Sequence, residues 1–184
     1  MTEGRQIEAA MRQAEDAAKL EGGEMLDPRD LRRALGQFAT GVTVITTREA
    51  DSPAPIGITV NSFASVSLDP PLILWSAARA SMRHAHFSGA QAFAVHVLAR
   101  GQGPLAERFA RSGDGFAGLG HDLNPEGVPI LPETLARFEC RTEATHEGGD
   151  HTIIIGRVLR FSTTPGAEPL VFAQGAFGGF APVT

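Results

Sequence analysis

The clearest strand signal in the chain is residues 135–162, with the sequence LARFECRTEATHEGGDHTIIIGRVLRFS. The turn-forming tetrapeptide EGGD lies between two extended segments, a pattern typical of a long antiparallel hairpin. Shorter strands rich in β-branched residues are predicted at 42–47, 56–60 and 92–98. Because these strands do not alternate regularly with helices, the sequence predicts a mainly β, antiparallel barrel or sandwich with a few helices, not a doubly wound parallel sheet.

The N-terminal part of the chain has helical periodicity. The spacing of its apolar residues predicts a helix over residues 5–20. A second helix is predicted to begin after Asp27, a favourable N-cap residue, and to end at Gly41. We therefore expect an N-terminal helical extension, residues 1–26, and one main domain, residues 27–184.

The middle of the chain contains the stretch ITVNSFASVSLDPPLILW, residues 58–75. Its first half alternates small apolar and hydroxyl residues, which is typical of a strand with two different faces. The following segment, PLILWS, is almost entirely apolar, so we expect a strand buried on both faces. Short helices are predicted from Ser81 and over residues 103–110.

Composition limits the classes of partner. The chain has 184 residues, 42% hydrophobic and 20% charged, with a formal net charge of -5. This weak acidity gives no electrostatic reason to expect nucleic acid or an anionic membrane as a partner. No apolar stretch approaches the roughly 20 residues of a membrane helix, so we expect a cytoplasmic protein. The single cysteine, Cys140, excludes an internal disulfide and is expected to be a buried, inert thiol.

Several motifs suggest chemistry only weakly. The segment GDGFAG, residues 113–118, matches the glycine pattern of dinucleotide folds, but it follows a predicted helix rather than a strand, so we interpret it as a loop. His84 and His86 are two residues apart in a short helix, without neighbouring cysteines or carboxylates, so no metal site is expected. His96 lies in an apolar strand, where a histidine is usually a hydrogen-bonded core residue.

Two interpretations of the hydroxyl-rich stretch remain open on physical grounds. Its serines and threonines could form the solvated face of a sheet, or they could bind an anion or a cofactor together with free backbone N–H groups. Arg79, Ser81, Arg83 and His84 follow the next strand and could add charge-assisted hydrogen bonds. His151, at the predicted hairpin tip, could likewise be an exposed turn residue or part of a cleft.

Four segments together resemble the flavin reductase family, the short NAD(P)H:flavin oxidoreductases that serve two-component flavin monooxygenases. They are GQFATGVTVITT, GITVNSFASVSLDPPLILWS, FAVHVL and GGDHTIIIGRV, in that order. The resemblance runs from about residue 27 to 180, and it departs from the family where His96 replaces a frequent Asn. It implies an FMN-binding split β-barrel, usually a homodimer, that uses FMN or FAD with NADH or NADPH. It also implies a flavin-dependent monooxygenase as partner.

The resemblance also implies roles for particular residues. His151 is the implied catalytic residue, and Asp150 and His151 are placed beside the nicotinamide. The residues implied to bind the flavin are Thr40, Gly41, Val42, Thr43, Thr59, Val60, Asn61, Ser62, Ser65, Val66, Ser67, Ser81, Arg83 and His84. The alternatives are a split barrel that holds flavin or haem without turnover, or an oxidase similar to pyridoxamine-phosphate oxidase. A protein that only mediates interactions would leave the hydroxyl stretch without a use.

Overall fold

The computed structural model describes three stretches of the chain, residues 26–49, 52–111 and 115–183. Contacts within the chain define two compact units, Met1–Gln37 and Phe38–Thr184. The helix predicted over residues 5–20 lies outside the described residues. The proposed division into residues 1–26 and 27–184 stays a prediction.

Among the described residues of the first unit, helix α1 runs from Pro28 to Leu35. The Asp27 side chain accepts a hydrogen bond from the Arg29 backbone N–H at 2.7 Å, so the predicted N-cap is confirmed. The prediction that this helix extends to Gly41 is wrong, because it ends at Leu35 and Gly36 occupies the C-cap position. Thr40 and Gly41 instead form a short strand.

The second unit contains twelve strands among the described residues. They are β1 (Thr40–Gly41), β2 (Thr43–Arg48), β3 (Pro55–Val60), β4 (Ala64–Leu68), β5 (Pro71–Ala78), β6 (Ala92–Val97), β7 (Asp122–Leu123), β8 (Pro129–Ile130), β9 (Ala136–Gly148), β10 (His151–Thr163), β11 (Leu170–Ala173) and β12 (Ala176–Gly179). Helix α2 (His84–Ser88) follows β5, and a 3-10 turn (Arg100–Gln102) leads into helix α3 (Gly103–Arg111).

These strands form three sheets, all of whose pairs are antiparallel. The largest has the order β3-β2-β6-β9-β10-β5-β4, and the others are β1-β11-β12 and β7-β8. The edge strands β3 and β4 are consecutive in the chain but not hydrogen-bonded to each other. One core cluster nevertheless combines Ile56 of β3 with Ile73 and Trp75 of β5, so the sheet curves round on itself. The predicted split β-barrel is confirmed.

A second core cluster covers the opposite face of β2. Val42 and Val44 pack there with Phe109 of α3 and with Leu170 of β11, so β2 is buried on both faces. Gly57 allows α3 to approach β3 closely: a Cβ added there would lie 2.6 Å from the Phe109 ring. This packing fixes α3 beside the edge strand β3.

Other local predictions have mixed outcomes. The hairpin with EGGD at its tip is confirmed, with register partners from His151–Gly148 to Thr163–Ala136. The expectation that the segment PLILWS is buried on both faces is wrong, because β5 alternates between buried and half-exposed residues. Helix α2 begins at His84, later than predicted, because Ser81 accepts a hydrogen bond from the Arg83 N–H within the preceding turn.

The buried position of Cys140 agrees with an inert thiol. Its side chain belongs to the barrel core, and burial raises its pKa to about 12, so the reactive thiolate is disfavoured. His96 is also fully buried in β6. Its Nδ1–H donates to the Val44 carbonyl at 3.2 Å, and its Nε2 accepts from the Leu131 N–H at 3.1 Å. The prediction of a satisfied core histidine is confirmed.

Candidate functional site

The tip of the β9–β10 hairpin meets the turn that follows β5. The Arg79 backbone N–H donates to the Asp150 carbonyl at 2.9 Å. His84 Nε2 lies 2.8 Å from the Thr152 hydroxyl, although the two residues are 68 apart in sequence. Two groups of residues that sequence reasoning singled out separately are therefore brought together at one end of the barrel.

His151 is held by its neighbour in the sequence. Its Nδ1 lies 2.7 Å from an Asp150 carboxylate oxygen, and the imidazole is 41% exposed. The hydrogen bond from His151 is the main reason why the pKa of Asp150 lies below its usual range. Because a carboxylate can only accept, Nδ1 carries the proton, and Nε2 of a neutral His151 is left as an acceptor.

The β3–β4 connection reaches the same region through Ser62. Its hydroxyl accepts from the Ser76 N–H at 3.0 Å and donates to the Ser76 carbonyl at 3.2 Å. Ser76 pairs with Ile153, two residues along β10 from His151. The predicted flavin-binding stretch and the hairpin tip thus lie on opposite sides of β5 in the sheet.

Strand β4 forms an open edge of the large sheet. A β-bulge between Ser65 and Ser67 leaves Val66 as an extra residue, 47% exposed, and it breaks the simple alternation expected from the sequence. Neither serine hydroxyl has a hydrogen-bond partner among the described residues, and the outer backbone edge of β4 is unpaired. Ser65 is opposite Ile73 of β5, and His151 is opposite Ala78 of the same strand. Because five residues of a strand span about 17 Å, the candidate site extends over about that length of sheet.

The first strand supplies one more free polar group. The Thr40 hydroxyl is buried and has no hydrogen-bond partner in the described part of the chain. Gly41 beside it is exposed, whereas the Val42 side chain belongs to the second core cluster. A buried hydroxyl without a partner is costly and uncommon in native proteins, so Thr40 Oγ1 is a candidate ligand-binding atom.

Other predicted site residues are engaged in holding the fold. Thr43 Oγ1 donates to the Val60 carbonyl at 3.0 Å, and Thr59 Oγ1 donates to the Ala106 carbonyl at 2.6 Å. These bonds join β2 to β3 and β3 to α3. The hydroxyls of Thr43 and Thr59 are therefore already used, and Thr43 is also buried on a strand that is paired on both sides.

Arg83 also binds backbone carbonyls. Its guanidinium donates to the carbonyls of Gly57 at 2.8 Å, Phe109 at 2.6 Å and Ala110 at 3.4 Å. The last two are at the C-terminal end of α3, where a cation is favourable. Partial burial of this guanidinium lowers its pKa. These contacts join α2 to α3 and β3, and the contact of Arg83 with the flavin stays a prediction.

Sequence reasoning missed the aromatic residues next to Thr40. Thr40 pairs with Phe172 of β11, which in turn pairs with Phe177 of β12. The segment around Phe177 is rich in glycine, but AQGAF also has the Gln-Gly turn of a hairpin: Gln174 and Gly175 both have positive φ. That turn is the feature of the sequence that could have predicted the β11–β12 hairpin.

Two negative findings apply to the described residues. They contain no group of three or more His, Cys, Asp and Glu side chains that could hold a metal ion. None of the helices described is long and apolar enough to cross a membrane.

The fold and the site define a split-barrel protein with free polar groups along its open edge. A family model for the flavin reductase-like domain matches residues 35–181. The chain therefore belongs to the flavin reductase-like family. The matched region includes every predicted site residue, from Thr40 to His151.

Individual relatives agree with the family match. FMN reductase (NADH) SmoA of Agrobacterium fabrum is 56% identical over 160 residues, which cover 87% of this chain and 89% of the relative. The reductase subunit HsaB of a flavin-dependent monooxygenase from Rhodococcus jostii is 42% identical, covering 86% and 81% respectively. The solved NADH:FAD oxidoreductase of Streptomyces globisporus, in complex with NAD and FAD fragments, superposes with a TM-score of 0.77 at 41% identity, covering 87% of this chain and 98% of that one.

Proposed function

We propose that this protein is an NAD(P)H-dependent flavin reductase that reduces FMN or FAD. The observation that carries the proposal is the family match over residues 35–181, which contains the whole candidate site. The names of the relatives support the same activity, because they include an NADH-dependent FMN reductase and an NADH:FAD oxidoreductase. When bound, the flavin would supply the chemistry by accepting a hydride from the nicotinamide.

The residues present fit a flavin. The Thr40 hydroxyl is a buried polar atom that needs a partner, and the flavin ring system carries polar edge atoms that could provide one. The open backbone edge of β4 and the free hydroxyls of Ser65 and Ser67 suit a ribityl chain or a phosphate. Neutral hydroxyls and amides bind less tightly than charged groups, which suits a flavin that must be released after reduction.

No side chain is required to act as a strong acid or base, so the work of the protein is to position its substrates. Asp150 holds the His151 imidazole in one orientation, with Nε2 as an acceptor. That acceptor would bind a carboxamide N–H of the nicotinamide. Thr152 and His84 hold the base of the hairpin tip and thereby limit its movement.

Steady-state assays would test this proposal. NADH and NADPH consumption would be measured with FMN and with FAD, in all four combinations. We expect turnover with at least one pair. No consumption in any combination would exclude a reductase. Flavin binding without turnover would instead support the non-turnover flavin-binding alternative, and turnover of pyridoxamine phosphate would support the oxidase.

His151 offers a sharper test of the same site. We expect His151→Ala to raise the KM for the nicotinamide nucleotide by about tenfold, as expected for the loss of one or two hydrogen bonds, with the KM for flavin unchanged. His146→Ala is the control, since His146 is an exposed histidine on β9 of the same hairpin. An unchanged KM in His151→Ala would remove this residue from the site.

The proposal includes a partner and an assembly state. Relatives are reductase subunits of flavin-dependent monooxygenases, so reduced flavin would pass to such an enzyme. We also propose a cytoplasmic homodimer, which the exposed apolar side chains of Leu68 and Phe161 support, at 95% and 70% exposed. Mass measured in solution would test the dimer, and a monomer at micromolar concentration would contradict it.

A further inference from the structure

A second cleft lies between the 3-10 turn and the β11–β12 hairpin, and no predicted site residue lines it. Its volume is about 340 Å³. Four of its lining residues have no side chain: Gly101, Gly103, Gly178 and Gly179. A Cβ added at any of the first three would meet no heavy atom within 4 Å. A ligand could therefore approach the backbone closely along this wall.

One aromatic ring lines the cleft. Phe177 is 41% exposed, and its ring meets that of Phe172 at 63° with 5.6 Å between the centroids. This edge contact supports the ring from one side. A partly exposed, supported aromatic ring is a good surface on which a flat heterocycle such as a nucleobase can stack.

Arg100 is the only charged residue among those that line this cleft in the described part of the chain. Its guanidinium lies against Gly179, where a Cβ would be 2.9 Å from Nε. Its salt bridge to Glu168, 2.8 Å long, joins side chains that are 64% and 58% exposed, so exchanging it for a phosphate contact costs little. Gln102 binds the Ala99 N–H and the Glu133 carbonyl and thereby fixes the turn that carries Arg100.

The cleft adjoins the candidate flavin site. Thr40, Phe172 and Phe177 are register partners in one row across three strands, so their side chains share a face of the small sheet. Two strand spacings separate Thr40 from Phe177, which is about 10 Å. The sugar–pyrophosphate linker of a dinucleotide can span that separation.

We propose that this cleft binds the adenosine diphosphate half of a dinucleotide whose reactive ring occupies the candidate site. The inference rests on the proposed function and identifies where the adenosine diphosphate half of one of its substrates binds. FAD and NAD(P)H share this half, so either can be its source. The other cleft, of about 500 Å³, is a poorer place for phosphates because its lining includes the carboxylates of Glu49 and Glu126 together with Arg48.

Direct binding of ADP, measured by calorimetry without turnover, would test the cleft. The variants are Phe177→Ala and Arg100→Gln, and the controls are Leu123→Ala and Arg111→Gln, an exposed apolar side chain and an exposed, ion-paired arginine elsewhere. We expect each cleft variant to weaken ADP binding at least about fivefold, as for the loss of one stacking contact or one charged hydrogen bond. Phe177→Leu, which keeps most of the apolar volume, replaces Phe177→Ala if that variant fails to fold. Wild-type protein that does not bind ADP, or ADP affinity unchanged in both cleft variants, would overturn the proposal.

Kinetics with the same variants would identify the source of the bound half. A raised KM for FAD, with the KM for FMN and NADH unchanged, would support the cleft as the site for the adenosine half of FAD. A raised KM for NADH with both flavins would support it as the site for the nicotinamide dinucleotide. Absence of reductase activity in the wild type would contradict the proposed function, whereas the ADP measurement would still decide on the cleft.

Discussion

Two strands of the barrel have hydroxyl-rich sequences that look alike, but the structure uses them differently. In β2, the hydroxyls of Thr43, Thr46 and Thr47 each donate to a backbone carbonyl, at 3.0, 2.6 and 2.9 Å. In β4, the hydroxyls of Ser65 and Ser67 have no partner among the described residues. The first set holds the barrel together, and the second is available to a ligand.

The difference follows from the position of each strand in the sheet. Strand β2 lies between β3 and β6 and has a core cluster on each face, so any polar group there must find a partner within the protein. Strand β4 is an edge with β5 on one side only, and water or a ligand can satisfy its groups. Polar side chains that have a hydrogen-bond partner within the protein are therefore structural, whereas those without one are free to bind a ligand.

Arg83 provides the largest expected effect and the strongest test of this distinction. Its bonds to three carbonyls place it with the structural groups, although its sequence position suggested a phosphate contact. We expect Arg83→Gln to lower the free energy of unfolding by about 3 kcal/mol, since charged hydrogen bonds to backbone carbonyls, two of them partly buried, are lost. Denaturant unfolding would measure it.

The control for Arg83 is Arg111→Gln, because the one ion pair that Arg111 forms with the described residues is an exposed pair with Glu107. Its loss should change stability by less than about 0.5 kcal/mol. If Arg83→Gln keeps the wild-type stability but loses flavin affinity, Arg83 binds the flavin phosphate. The distinction between structural and ligand-binding groups would then be wrong for this residue.

The buried His96 predicts how the stability of the protein depends on pH. Burial lowers the pKa of its imidazole to about 3, from 6.5. Below pH 6.5 the unfolded chain binds this proton and the folded chain does not, so stability falls as the pH falls. The slope approaches about 1.4 kcal/mol per pH unit, and we expect a loss of about 2 kcal/mol between pH 6.5 and 5.

Denaturant unfolding at several pH values would measure this loss, and His96→Asn should flatten the slope in that window. The carboxylates whose pKa values are lowered, such as Glu126 and Glu143, lose their contribution only at lower pH, so they do not obscure it. His146→Asn, at an exposed position, should keep the wild-type slope. A wild-type stability that does not change between pH 6.5 and 5 would contradict the buried, neutral imidazole.

The local features of the fold could be predicted from the sequence. The hairpin around residues 147–150, strands β2, β3 and β6, and the Asp27 cap each depend on neighbouring residues, and each is confirmed. The resemblance to a known family added the prediction of a split β-barrel. The errors came from tertiary context: β5 has a half-exposed face because it lies beside the open edge, and a bulge in β4 changes how its side chains alternate.

The composition of the candidate site was harder to predict than its location. Sequence could suggest that Thr59 and Ser65 belong to one polar stretch, but not that Thr59 is bound to a carbonyl of α3, 47 residues away. Nor could it place Phe172 and Phe177 beside Thr40, because that contact depends on pairing between distant strands. The sequence therefore indicated which residue types form the site, but it did not indicate which residues far apart in the chain contact each other.

The smallest expected effect concerns the two free serines of β4. The double variant Ser65→Ala with Ser67→Ala should weaken flavin binding about tenfold, as for the loss of one or two neutral hydrogen bonds, and leave the free energy of unfolding unchanged. Fluorescence titration with FMN and FAD, together with denaturant unfolding, would measure both quantities.

Thr46→Val is the matched control for the serines, because it also removes a hydroxyl from a strand of the same barrel. Its hydroxyl donates to the buried Pro129 carbonyl, so we expect the reverse result, a stability loss of about 1 kcal/mol with flavin affinity unchanged. Flavin affinity that is unchanged in the serine double variant would mean that these hydroxyls only face solvent. The distinction between the two strands would then reflect exposure alone, and the flavin would have to be held by Thr40 and the backbone edge of β4.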